Sequence, residues 1–169
     1  MADVRSSVAD DRGWIAATLR ERWDSSVIVT RGRECDAAAL EALVAVDAFG
    51  ARVGLLTYRI DEEGLEVVTI DSLRPGVGFG TALLARATEL ARRAGAPRLW
   101  LITTNDNTDA IGFYERRGLR VVAVDKGAVD RARRLKASIP LVADNGIELH
   151  DEIELELELG LELIPTATR

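Results

Sequence analysis

The sequence predicts a mixed α/β domain in which a block of antiparallel strands leads into a βαβ unit, the whole forming one twisted sheet flanked by helices. Three observations carry this prediction. Aliphatic, β-branched runs at 42–46, 53–60 and 65–71 are separated by short turns, so their pairing is local and antiparallel. An amphipathic segment at 80–94 then joins the last of these runs to the near-continuous apolar run 98–103, the mark of a strand covered on both faces. That succession implies a parallel pair with a right-handed crossover. The third observation is the alternation of residues 151–159, which reads as a further strand with an acidic outer face.

Taken in order, residues 4–8 read as a short first strand. Asp10 or Asp11 is placed to cap a helix running to Trp23, with Trp14, Ile15, Thr18, Leu19 and Trp23 near helical spacing. Residues 27–30 are β-branched and read as a strand. The stretch 35–40 is ambiguous, with Asp36 placed to cap a turn at 37–39. Strands follow at 42–46, 53–60 and 65–71, with turns at Phe49-Gly50 and Asp61-Glu62-Glu63-Gly64. Leu83, Leu84, Ala87, Leu90 and Ala91 give the next helix its apolar stripe, and Arg92, Arg93, Gly95 and Pro97 mark its end. A strand at 98–103, a helix at 109–117 closed by Gly118, and a strand at 119–124 come next. Residues 129–137 read as a basic helix, Asp144-Asn145-Gly146 as a turn, and 165–169 as a loose tail after a single domain at 1–164.

Composition narrows the function. The chain has 169 residues, 47% hydrophobic and 30% charged, as in an ordinary soluble globule. A net charge of -6 argues against general nucleic-acid binding. With one cysteine (Cys35) and one histidine (His150), neither a disulfide nor a zinc site is expected. Met1 to Arg5 lacks the apolar stretch of a signal peptide, and no run of about 18 apolar residues occurs. A cytoplasmic location without a membrane span is therefore expected.

The stretch Ser72-Leu73-Arg74-Pro75-Gly76-Val77-Gly78-Phe79-Gly80-Thr81 lies where a strand hands over to a helix. Glycines let the backbone take positive φ and let a ligand approach closely. The helix start offers unpaired N–H groups and the positive end of the dipole, a site for phosphate or pyrophosphate. No lysine completes a Walker A loop. The spacing Gly76-x-Gly78-x-Gly80 brings the third glycine one residue early for a dinucleotide fingerprint, and antiparallel strands precede it.

The arrangement resembles the GNAT superfamily, the Gcn5-related N-acetyltransferases. Their pyrophosphate loop reads Gln/Arg-x-x-Gly-x-Gly/Ala. Gly78-Phe79-Gly80 matches its end, and Pro75 stands where Gln or Arg belongs. A second family motif, Asn-x-x-Ala-x-x-Phe-Tyr-x-x-x-Gly-Phe/Leu, appears in order from Asn107 through Ala110, Phe113 and Tyr114 to Gly118-Leu119. The match runs from about Arg52 to Val124.

The resemblance implies the GNAT acyl-CoA N-acyltransferase fold. It implies acetyl-CoA as cosubstrate, no metal, and direct attack by a primary amine in a ternary complex. Cofactor contacts are implied at Ser72, Leu73, Val77, Gly78, Phe79, Gly80, Thr81, Asn107, Phe113 and Tyr114. A bulge near 71–73 would expose main-chain groups to the pantetheine, and the sheet would splay before the strand at 99–103.

Acyl transfer needs an amine freed of its proton, a stabilised oxyanion and a thiolate that can leave. An amine with a pKa of about 10.4 is only roughly one-thousandth free at neutral pH, so a general base is required. Glu66 and Asp71 are the candidates, beside a water chain; strict alternation puts them on opposite faces. Tyr114 matches the family tyrosine that serves the leaving thiolate, although a core tyrosine beside Phe113 also fits. Asn107 fits either a cofactor contact or a helix cap. Cys35 and His150 carry no activating signature. The acidic strand reads as a solvated face guarding an edge, or as a groove for a cationic amine. Trp14 and Trp23 read as anchors of the first helix or as acceptor contacts.

The resemblance implies a small-molecule or peptide amine as acceptor, with residues 31–40 and 128–137 the segments expected to shape its pocket. Edge strands in the family support homodimers. The competing readings are a CoA-binding regulatory module with little chemistry and a nucleotide-binding α/β domain.

Overall fold

The computed structural model describes residues 2–160, so the expected tail at 165–169 and the expected domain end at 164 lie outside the described residues. Along the chain come β1 (Asp3–Ser6), α1 (Arg12–Trp23), β2 (Val27–Thr30), β3 (Arg33–Asp36), β4 (Glu41–Val46), β5 (Arg52–Asp61), β6 (Gly64–Ser72), α2 (Phe79–Arg93), β7 (Arg98–Thr104), α3 (Thr108–Glu115), β8 (Arg120–Asp125), α4 (Ala128–Ala132) and β9 (Glu152–Glu158). Seven strands form one sheet in the order β1-β4-β5-β6-β7-β9-β8, and β2 and β3 form a separate hairpin. Neighbours in the large sheet are antiparallel except β6 and β7, the parallel pair that the βαβ pattern predicts.

Each face of the sheet is covered by the helix whose apolar stripe matches it. On one face Leu83, Leu84, Ala87 and Ala91 of α2 are buried against Leu43, Leu56, Val67 and Leu101. On the other, Ile15 and Leu19 of α1 meet Ala42, Leu55 and Val68, with Ile28 of the hairpin packed against them. Full burial of each large aliphatic side chain contributes about 1.5–3 kcal/mol, and both stripes include leucines at 0% exposure. Asp36 caps its 3-10 turn as expected, accepting from the Ala38 N–H at 3.1 Å.

Two features of this sheet create the site. The parallel register joins only Leu65–Leu99, Glu66–Trp100 and Val67–Leu101, although β6 continues to Ser72 and β7 to Thr104. Beyond Val67 the two strands part, as expected, and a gap opens. Thr57 faces Thr69 while Tyr58 faces Val67, so Val68 is an extra residue in β6. The bulge therefore lies at Val68 and not near 71–73. There the chain is paired regularly with β5, Ser72 opposite Gly54 and Leu73 N–H bonded to Val53 O at 2.9 Å.

Two other expectations are corrected. The basic helix at 129–137 is only the short α4. After it the Arg133 guanidinium donates to the carbonyls of Ile139, Pro140 and Leu149 at 3.2, 2.6 and 2.7 Å, winding the chain around one cation instead of continuing the helix. β9 is an interior strand between β7 and β8, and β8 is the edge, all of its residues exposed. The β9 glutamates are accordingly partnered rather than solvated. Glu154 and Glu156 take the Arg98 guanidinium at 2.7 and 2.8 Å, and Glu152 accepts the Arg31 N–H at 3.1 Å.

Candidate active site

The loop at the head of α2 is built by glycine. Gly76 and Gly78 have φ of 81° and 93°, a left-handed conformation that costs a residue with a Cβ about 1–2 kcal/mol. Gly78 is the N-cap, and the first helical bond runs from Ala82 N–H to Gly78 O at 3.0 Å. The amides of Phe79, Gly80 and Thr81 thus have no intrahelical acceptor. A Cβ on Gly78 would meet nothing within 4 Å, so the loop faces open space on that side. At Gly80 a Cβ would lie 3.4 Å from the Phe113 ring, an ordinary van der Waals contact, so α2 and α3 approach closely here without excluding an alanine. Arg117 closes the arrangement, its guanidinium 3.5 Å over the Phe113 ring and bonded to Thr81 Oγ1. Arg74, just upstream, is held by Asp47 at 2.8 Å, and Ser72 Oγ donates to the Arg74 carbonyl. Open space, free amides and the helix dipole fit a pyrophosphate.

The gap between β6 and β7 opens into a cleft of about 480 Å³. One wall is β6 from Val67 to Asp71, the other is β7 with Asn107, Ala110 and Tyr114, and Trp23 of α1 closes it. Tyr114 is 7% exposed and packs edge-on against Phe113 at 5.4 Å between ring centres. Burial, with the Asp71 carboxylate adding to it, pushes the Tyr114 phenol well above its ordinary value. Like an ordinary tyrosine it keeps its proton at neutral pH, and its hydroxyl has no hydrogen-bond partner among the described residues. Asn107 holds the N-cap position of α3, but its side chain does not cap. Its amide donates to Thr103 Oγ1 at 3.0 Å, along the β7 wall of the cleft.

The bulge decides the placing of the two candidate carboxylates. With Val68 inserted, Glu66 and Asp71 fall on the same face of β6, toward α1 and the hairpin, instead of on opposite faces. Asp71 borders the cleft with Tyr114. It accepts the Trp23 indole N–H at 2.7 Å and Arg22 Nε at 3.5 Å, and burial raises it above the usual aspartate range in spite of these donors. Glu66 is 2% exposed and joined to Arg59 at 2.5 Å. Burial raises it too, against the pull of Arg59. It does not border the main cleft and opens instead on an adjoining chamber.

From sequence, Trp23 fits either a core anchor or an acceptor contact. It is 36% exposed and continues the Ile15–Leu19 stripe one turn past the core, a spacing that could have placed it at the site. Asp24, left-handed at φ 62°, ends α1 directly after it and fixes the indole there. Cys35 is partly buried with its thiol pushed up by burial, and His150 is exposed beside Asp151, both away from the cleft. Among the described residues no group of metal-ligating side chains occurs, and no helix is long and apolar enough to cross a membrane.

Comparison with known proteins identifies the family and the fold. The family model of the GNAT acetyltransferases matches residues 12–119. The chain is 47% identical over 119 residues to the uncharacterized protein YdhI of Bacillus subtilis, covering 70% of this chain and 73% of that protein. It is 34% identical over 98 residues to a streptothricin acetyltransferase of Streptomyces lavendulae, covering 56% of this chain and 52% of that one. A GNAT acetyltransferase of Elizabethkingia anophelis, solved with acetyl-CoA bound, shares the fold with a TM-score of 0.69 over 94% of this chain and 98% of that one, at 20% identity. The chain belongs to the GNAT family of acetyltransferases.

Proposed function

We propose that this protein transfers the acetyl group of acetyl-CoA to a primary amine, small-molecule or peptide, that enters the cleft between β6 and β7. The observation that carries the reading is the position of Asp71 and Tyr114 on facing walls of one cleft, with Asp71 on the strand that leads into the glycine loop and its free amides. The amides of Phe79, Gly80 and Thr81 bind the pyrophosphate, and the unpaired edge of β6 beyond Val67 receives the pantetheine. Bound acetyl-CoA supplies the thioester.

Asp71 is the general base. The incoming ammonium gives its proton to the Asp71 carboxylate, directly or through one water. The freed nitrogen forms its bond to the acetyl carbon, the carbon–sulfur bond breaks, and the nitrogen then sheds its surplus proton, which through water restores the one Tyr114 gives to sulfur. Tyr114, protonated at neutral pH as any tyrosine is and more firmly so for its burial, hydrogen-bonds to or protonates the departing sulfur. Trp23 and Arg22 hold the Asp71 carboxylate in place. Glu66, shut in by Arg59, takes no proton from the amine.

A panel of amines tested for release of free CoA thiol checks the proposal. Stoichiometric thiol release and N-acetylated product on at least one class of amine are expected. Thermal stabilisation by acetyl-CoA with no turnover on a broad panel would favour a binding module instead.

A further inference from the structure

Beyond Asp71 the cleft continues into a second chamber of about 130 Å³, which shares Trp23, Val68, Ile102 and Asn107 with it. Two buried carboxylates border this chamber, Glu66 from β6 and Glu152 from β9. Their charge balance differs. Glu66 is matched by the Arg59 guanidinium. Glu152 is 5% exposed, and its Oε2 accepts a backbone N–H, that of Arg31. Its Oε1 has no donor among the described residues.

The nearby cations are engaged elsewhere. The Arg31 guanidinium goes to Glu63 at 3.0 Å and lies over the Trp100 ring, and Arg131 goes to Asp125 at 2.6 Å. In the wall of the same chamber Thr30 Oγ1 is buried without a hydrogen-bond partner. A buried carboxylate with no counter-ion beside an unpaired hydroxyl is a costly arrangement, and an entering cation relieves it. Between these groups and the cleft the surface is aliphatic, from Ile28, Val68 and Ile102.

We infer that the acceptor carries a second cationic group, an ammonium or guanidinium joined to the reacting amine by an aliphatic spacer, and that this group seats against Glu152 and Thr30 Oγ1. The inference rests on the acetyltransferase reading for the role of the neighbouring cleft. It narrows the acceptor class to diamines and to basic molecules with two separated cations. A monocationic amine fills the cleft but leaves Glu152 uncompensated.

The test compares linear α,ω-diamines with n-alkylamines of equal chain length. They are assayed as acceptors and titrated calorimetrically into the protein with CoA present, for the wild type, Glu152→Gln and Glu152→Asp. The wild type should favour the diamine about tenfold or more in kcat/KM, chiefly through KM, and in affinity. Glu152→Gln should bring both ratios close to one, and Glu152→Asp should keep part of the preference. Equal treatment of diamine and monoamine by the wild type, or a preference that survives Glu152→Gln, overturns the inference.

If no amine is acetylated yet diamine binding still depends on Glu152, the acetyltransferase reading fails and the cation subsite stands. If monoamines are acetylated as well as diamines, the subsite fails and the acetyltransferase reading stands. Absence of both turnover and diamine binding overturns the subsite. Should Glu152→Gln fail to fold, Thr30→Val replaces it, with a several-fold loss of diamine preference expected and an unchanged preference counting against the site.

Discussion

The indole N–H of Trp23 donates to the Asp71 carboxylate at 2.7 Å, tying the last turn of α1 to β6 at the mouth of the cleft. Burial raises Asp71, and this bond, with Arg22, pulls it back by favouring the ionised form. Trp23→Phe keeps the ring and removes the donor, so Asp71 should rise further. The acid limb of the kcat/KM profile should then move to higher pH, while the alkaline limb stays. An acid limb that stays, or moves to lower pH, would show that the bond does not tune the group.

Tyr114→Phe removes the one hydroxyl that faces Asp71 from α3. A fall in kcat of about 10²-fold is expected, with acetyl-CoA affinity within a few-fold of wild type. Stopped-flow turnover together with equilibrium binding separates the two quantities. Equal turnover would remove Tyr114 from the chemistry.

Gly78→Val places a branched side chain at φ 93° in the open space before the α2 amides. The strain costs about 1–3 kcal/mol, which a melting curve reads as a drop of several degrees. Acetyl-CoA affinity should fall about tenfold or more as charge-assisted amide bonds are lost. Unchanged affinity in a folded variant would reject the loop as the pyrophosphate site.

Asp11 makes a stability prediction away from the site. Its side chain is 0% exposed and receives Arg5 at 2.6 Å, Arg52 at 2.7 Å and the Val8 N–H at 2.8 Å. These donors, led by Arg5, hold it well below the ordinary aspartate range. The native state therefore binds fewer protons here than the unfolded chain near the unfolded value of about 3.9. The stabilisation is fully present above that value and is lost as pH falls toward the native one. Asp11→Asn should cost about 2–3 kcal/mol at neutral pH, since both arginines are a third exposed and screened. It should also flatten the acid slope of Tm against pH.

Much of this fold is written in local pattern. The α2 stripe, the turns at Asp61–Gly64 and 144–146, and the apolar run of β7 fix their elements by periodicity and turn chemistry alone. The glycine loop is legible as a phosphate site from its residues, whereas its assignment to acetyl-CoA and the splay of β6 from β7 follow from the motif resemblance.

The parts not legible depend on long-range contacts. Nothing in Glu66-Val67-Val68-Thr69 marks Val68 as the extra residue, since a bulge is set by register against β5. That register puts Glu66 and Asp71 on one face, and their distance along β6 from the splay then sets Asp71 in the cleft with Tyr114 and Glu66 in the adjoining chamber. The alternation of β9 marks a strand but not its neighbours. Whether its glutamates meet water or Arg98 and Arg31 depends on β8 adding outside it and on the hairpin covering it. Arg133 likewise reads as one more helical cation until three carbonyls surround it.

The most direct measurement is kcat/KM against pH for the wild type and Asp71→Asn, on whichever amine the panel yields. For the wild type, an acid limb above the ordinary aspartate value of about 3.9 is expected, because burial raises Asp71. For Asp71→Asn, a loss of about 10²–10⁴-fold and disappearance of that limb are expected, with acetyl-CoA binding retained. Wild-type rates with an unchanged acid limb in a folded Asp71→Asn protein would contradict Asp71 as the base and this cleft as the place of transfer.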